Sequence, residues 1–165
     1  MRKPYYTAGM NARRRLPIGQ LLGRTLRSFR EELYRRAQAA GYRDIREAHL
    51  QVFGVINWSG TRLTDLAARA NMTRPSMAEL VDELQQAGYL DRRPDPSDGR
   101  AKLIRPTRKG RRILAQALRA VSDIEHGYAE AVGPERFDAL IATLQDLLDA
   151  GREQGRSSGT DDSRA

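Results

Sequence analysis

Between a basic N-terminal arm and a polar C-terminal tail, helical spacing runs through this 165-residue chain and is interrupted by one extended stretch, Tyr89–Arg105. On either side, apolar residues recur three and four apart, the period of one face of an α-helix. Inside it, Tyr89–Arg93 and Lys102–Arg105 read as short strands around the polar loop PDPSDGR. A two-stranded ribbon is marginal alone in water and must lean on helices. That limits the fold to a mainly α chain carrying one small β-hairpin, with four helices before it and two after.

The helices follow from their stripes. Leu22, Leu26, Phe29, Leu33 and Ala37 mark a helix over 16–40, with Pro17 confined to its first turn and Gly41 at its stop. Ile45, His49, Val52, Phe53 and Ile56 predict a second over about 44–57. Two short helices come next. Thr64 is an N-cap candidate for Asp65–Ala70, and Thr73 for a helix to Ala87 with Met77, Leu80, Val81 and Leu84 inward. After the hairpin, Thr107 caps a long helix reaching Val132. A last one, from Gly133-Pro134 to Gly151, is striped by Phe137, Leu140, Ile141, Leu144, Leu147 and Leu148. The first and last helices have apolar faces wider than a small central unit can cover, so burial against a second copy in a homodimer is expected. The expected organisation is a basic flexible arm at 1–15, a discontinuous helical dimerisation region at 16–58 and 107–151, the hairpin unit at 59–106 and a disordered tail at 152–165.

Charge adds a partner. The net charge of +8 is concentrated: residues 1–15 hold five basic residues and no acid, and residues 89–112 hold nine basic and three acidic. Positive charge focused on two segments suggests a polyanion. The chain has no Cys, which excludes disulfides, thiolate chemistry and thiol-based redox sensing. There is no apolar run long enough to span a membrane and no apolar signal block, so a cytoplasmic protein is expected. His49 and His126 lack metal-ligand spacing, and no HExxH, P-loop or Cys–His set is present. Neither catalytic residues, nor a metal, nor a cofactor are expected.

Two helices joined by a tight break have the size of a helix-turn-helix, although such pairs also occur in many all-α proteins; in a helix-turn-helix the second helix enters the major groove of DNA N-terminus first. With its stripe inward, that helix turns Pro75, Ala78, Glu79, Asp82 and Glu83 outward and sets Thr73, Arg74 and Ser76 at its leading end. The hairpin has Arg100 just past its bend, flanked by Arg92, Arg93, Lys102 and Arg105. Such a ribbon can hold an arginine in a minor groove while its stem touches phosphates. Asp98, two residues before Arg100, can pair with it and fix its direction.

The segment LTDLAARANMTRPSMAELVDELQQAGYLDRRPDPSDGRAKLIRPTRKG, residues 63–110, resembles the winged helix-turn-helix of the MarR family of bacterial transcriptional regulators. The landmarks are Leu63-Thr64, Leu66-Ala67, Met72-Thr73, Leu80-Val81-Asp82, Leu84, Gly88, Arg92 or Arg93, Asp95, Asp98, Arg100, Thr107 and Gly110. The resemblance implies an obligate dimer built by the terminal helices and a pseudo-palindromic double-stranded operator. It also implies a repressor, often released by a small aromatic or phenolic ligand. By position, the recognition helix starts at Thr73, the wing arginine is Arg100 and Asp98 is its orienting partner.

One feature departs from that pattern. Where many members carry Arg on the recognition helix, this chain has Glu79, Asp82 and Glu83, which oppose phosphate approach. Glu79 can instead accept from a cytosine N4 amine or pair internally with an arginine. Tyr42, His49 and Trp58 are the candidates for lining an effector cavity. The alternative to a duplex reader is a winged-helix module for RNA or protein.

Overall fold

The computed structural model describes residues 16–158. In chain order they form α1 (Ile18–Ala39), α2 (Leu50–Phe53), β1 (Thr61–Arg62), α3 (Leu63–Arg69), α4 (Arg74–Gln86), β2 (Leu90–Asp95), β3 (Asp98–Pro106), α5 (Arg108–Val132) and α6 (Pro134–Ser158). The strands make one antiparallel sheet in the order β1-β3-β2. One core joins the sheet to α2, α3, α4 and the start of α5 through Val52, Leu66, Met77, Val81, Leu84, Leu90, Ile104 and Ile113, all buried. The mainly α fold with a small β wing is thus the one expected, and among the described residues no helix is long and apolar enough to cross a membrane. The basic arm at 1–15 lies outside the described residues.

Four expectations need correction. The predicted helix over 44–57 is a 3-10 turn at Glu47–His49 followed by the single turn of α2. Its apolar positions Ile45, Val52, Phe53 and Ile56 are still buried, so spacing located the core face but not the backbone. Side chains explain the difference. His49 Nδ1 accepts the Arg46 N–H at 3.1 Å, and Gln38 Nε2 donates to the carbonyls of Tyr42 and Ile45 at 3.1 and 2.8 Å. Groups that a longer helix would pair along its own axis are taken by these bonds.

The second correction is a third strand, β1, whose Thr61 and Arg62 pair with Ile104 and Leu103. Two residues carry no readable alternation. Because the sheet already holds Arg62 in an extended conformation, α3 starts at Leu63, and Thr64 is not its cap. Thr73 and Thr107 do cap α4 and α5, accepting from the backbone N–H of Ser76 and Gly110.

Third, the hairpin loop is far shorter than PDPSDGR. The strands run on until only Pro96 and Ser97 lie outside them. Pro94 is accommodated because β2 is at the sheet edge, where no N–H is demanded of it. Between Pro94 and Asp95 the register jumps from Lys102 to Asp98, which leaves Gly99, Arg100 and Ala101 as an unpaired excursion of β3. Fourth, α6 continues past Gly151 to Ser158, into the segment expected to be disordered. Arg152, Glu153 and Gln154 are good helix formers, and two glycines cost only about 1 kcal/mol each. Residues 159–165 lie outside the described part.

Candidate nucleic-acid interface

α3 and α4 are joined by a break of four residues, in which Asn71 adopts φ 51, a left-handed conformation that Asn tolerates. Burial of Met77, Leu80, Val81 and Leu84 fixes the roll of α4. Thr73, Arg74, Pro75, Ser76 and Glu79 are consequently exposed, and Ala78 is half-buried. The Thr73 hydroxyl accepts from Ser76 N–H at 3.3 Å and lies 2.9 Å from Ser76 Oγ, so both hydroxyls stand at the helix entrance. Arg74 makes no ion pair among the described residues.

The three acids of α4 have different fates. Asp82 Oδ1 is 2.6 Å from Arg92 of β2, and the same arginine donates to Gln85 Oε1 at 3.0 Å. Glu83 is held by Arg46 and, at 2.8 Å, by His49 Nε2. Since His49 Nδ1 is already an acceptor, the ring proton sits on Nε2 and points at Glu83. Glu79 has neither a hydrogen bond nor an ion pair among the described residues. Acidity on the outward face of α4 is therefore largely cancelled inside the fold.

At the wing, the structure corrects the role expected of Asp98. Its Oδ1 accepts the backbone N–H of Arg100 at 3.1 Å, and its other oxygen lies 3.7 Å from Arg62. Asp98 shapes the excursion that carries Arg100 but does not grip the guanidinium. The central carboxylate is the buried Asp95. It accepts from Ser97 N–H at 2.9 Å, Ser97 Oγ at 2.7 Å and Arg62 Nη2 at 2.6 Å. Those donors, Ser97 foremost, hold its carboxyl down at about 2. The basic residues also divide. Arg92 and Arg93 are engaged, the latter by Asp91 at 2.9 Å, whereas Arg100 and Lys102 are exposed and make no ion pair among the described residues.

Arg62, Asp95 and Arg46 were missed as site residues. Asp-Pro-Ser is a turn signature that points to Asp95. Nothing in the sequence links Arg62 to it across 33 residues.

The expected effector triad is split. Tyr42 lines a cavity of about 420 Å³ with Leu33, Leu50, Phe53, Ile113 and Arg119. His49 is only 3% exposed and turned to Glu83, and Trp58 is 46% exposed on the turn before β1. Neither lines that cavity.

A helix pair with an exposed leading end, followed by a β-hairpin braced against it, defines a winged helix-turn-helix. Residues 44–101 match the sequence model described as MarR family. Over that segment the chain is similar to the MarR family. An uncharacterised HTH-type transcriptional regulator of Mycobacterium leprae is 36% identical over 55 residues, 33% of this chain. That match spans only 38% of the relative's length. CouR of Rhodococcus jostii RHA1, solved with p-coumaroyl-CoA, is 28% identical with a TM-score of 0.65, covering 79% of this chain and 90% of that one. The transcriptional repressor CouR bound to a 23-mer DNA duplex is 25% identical, with a TM-score of 0.62 and coverage of 80% and 92%.

Proposed function

We propose that this protein is a dimeric, sequence-specific reader of double-stranded DNA that represses transcription in the cytoplasm and is released by a small aromatic ligand. One observation carries the reading. Arg92 ties β2 to α4, and Arg62 ties the wing turn to β1, so Arg74 and Arg100 project from a single braced unit with no ion pair among the described residues. In this proposal residues 59–106 read DNA: Thr73, Arg74, Pro75, Ser76, Ala78 and Glu79 lie along the major groove, and Arg100 enters the minor groove with Lys102 behind it. Arg92, Arg93 and Asp98 shape the wing. Residues 16–58 and 107–151 form the dimer, supported by exposed Leu22 and Leu26 on α1 and exposed Leu140, Ile141, Leu147 and Leu148 on α6. A two-fold dimer calls for a pseudo-palindromic operator.

The ligand belongs in the cavity beside Tyr42. Its size falls within the range of about 300–1,000 Å³ usual for small-molecule sites, its walls are mostly apolar, and Arg36 and Arg119 are among the residues that line it. The neighbouring CouR structure holds an aromatic acyl thioester.

Competition tests the reading. Purified protein bound to a selected duplex is challenged with single-stranded RNA and with random duplex. Resistance to both, with affinity falling steeply as salt rises, is the expected result. Arg100→Ala should lower affinity and reduce the slope of log affinity against log salt by about 1. Preference for RNA, or binding indifferent to salt, would replace it with an RNA- or protein-binding module.

A further inference from the structure

Glu79 is the α4 carboxylate that the fold leaves without a partner among the described residues. It lies on the outward stripe with Ser76 and Asp82, one turn in from the leading end. Met77 and Leu80 on either side are buried, so α4 cannot roll to withdraw it. Asp82 and Glu83 meet arginines, which makes the bare state of Glu79 a property of its position rather than of the whole helix.

A bare carboxylate brought against a polyanion lowers affinity unless it accepts a hydrogen bond there. A carboxylate is acceptor-only. In the major groove guanine offers two acceptors and thymine an acceptor and a methyl group. Adenine offers a donor, but its N7 acceptor lies beside it. Cytosine presents its N4 amine as a donor with no acceptor of its own on that edge. The chemistry therefore selects one base. We propose that Glu79 is a specificity-determining residue that accepts from the N4 amine of one cytosine in each half-site, so that the acid lowers affinity for every other sequence.

This inference rests on the DNA-reading function above, and its test separates the two. Duplexes are selected from a randomised pool by the wild-type protein, by Glu79→Ala and by Glu79→Gln. Glu79 is exposed and makes no hydrogen bond or ion pair among the described residues, so both variants should fold, which circular dichroism checks. The wild type should enrich cytosine at one position per half-site. Glu79→Ala should lose that enrichment alone, with discrimination there falling by about 10-fold or more. Glu79→Gln, which has both a donor and an acceptor, should move the preference toward adenine. If Glu79→Ala tightens selected and random duplexes by the same factor, Glu79 is only a repulsive charge and the proposal falls. If the wild type retains no duplex at all, the DNA-reading function falls with it.

Discussion

Asp95, at the turn of the wing, is clamped by Arg62 from the opposite edge strand, with Nε at 2.8 Å and Nη2 at 2.6 Å from the same carboxylate oxygen. The pair crosses the sheet, since β1 and β2 are separated by β3. With Ser97 it fixes the turn from which Arg100 projects. Asp95→Ala should leave α-helical content unchanged, speed amide exchange at Ser97 and Arg100, and weaken operator binding by about as much as Arg100→Ala. Asp95→Asn keeps an acceptor for Ser97 and should be milder. Because the carboxyl is held at about 2, its contribution is complete above the ordinary value near 3.8 and is lost as pH falls from there toward 2. Unaltered exchange at Arg100 in Asp95→Ala would show that the wing does not depend on the clamp.

Local signals in the sequence reached much of this architecture. The stripe of α4, the caps Thr73 and Thr107 and the glycine stop at Gly88 each depend on residues within one or two turns, and each is where spacing puts it. The failures share a cause. Arg62 with Asp95, Arg46 with Glu83, and the conversion of 44–57 into short turns by Gln38 and His49 all rest on contacts between residues distant in sequence or on side chains competing with backbone. The hairpin's true length depends on the sheet for a related reason. Pro94, Pro96 and Gly99 look like loop chemistry until the sheet order puts Pro94 on an edge. In the sequence Tyr42, His49 and Trp58 are equal candidates for a cavity wall, and only tertiary structure separates that wall from a buried ring bonded to α4 and an exposed indole.

His49 makes the fold sensitive to acid. Burial, then the nearby Arg46 cation, push its pKa below the ordinary 6.5, while Asp44 pulls the other way. Glu83 at 2.8 Å also favours the cation, but protonating Nδ1 would set a second donor against the Arg46 N–H. The folded state therefore prefers the neutral ring. Its stabilising contribution is complete above pH 6.5 and is lost as pH falls below it, with a slope of at most about 1.4 kcal/mol per pH unit. His49→Gln can still accept from Arg46 and donate to Glu83 but cannot titrate. Urea unfolding between pH 7.5 and 5 should show a loss in the wild type that is smaller in His49→Gln. Parallel curves would remove His49 from this role.

Gly110 sets the distance between α5 and the wing. A Cβ there would collide with the Tyr89 carbonyl oxygen, which is backbone and cannot swing aside. The same Tyr89 carbonyl accepts from the Thr107 N–H at 3.0 Å and from the Thr107 hydroxyl at 3.1 Å. Gly110→Ala must push the helix start away and strain those bonds, so a destabilisation of about 1–3 kcal/mol is expected despite the better helix propensity of Ala. Thermal unfolding measures it. A variant as stable as the wild type would mean that α5 shifts freely on the sheet.

The proposed dimer makes the last demand. Along α6, Leu140, Ile141, Leu147 and Leu148 are each about half exposed, and Leu22 and Leu26 on α1 are similar. Side chains of this kind contribute roughly 1.5–3 kcal/mol each when fully buried, so several of them in a two-fold contact suffice for association. The double substitution Leu140→Asp with Leu147→Asp places charge on that face without touching the core around Leu66 and Met77, which are buried elsewhere. Sedimentation velocity should show a dimer for the wild type and a monomer for the variant. Affinity for a full palindrome should fall by about 100-fold or more, because the second half-site loses its tethered reader. Affinity for a single half-site should change little, and that difference separates lost pairing from lost folding. A wild type that sediments as a monomer at operator-binding concentrations would show that one chain reads DNA alone and that the apolar face of α6 serves another partner.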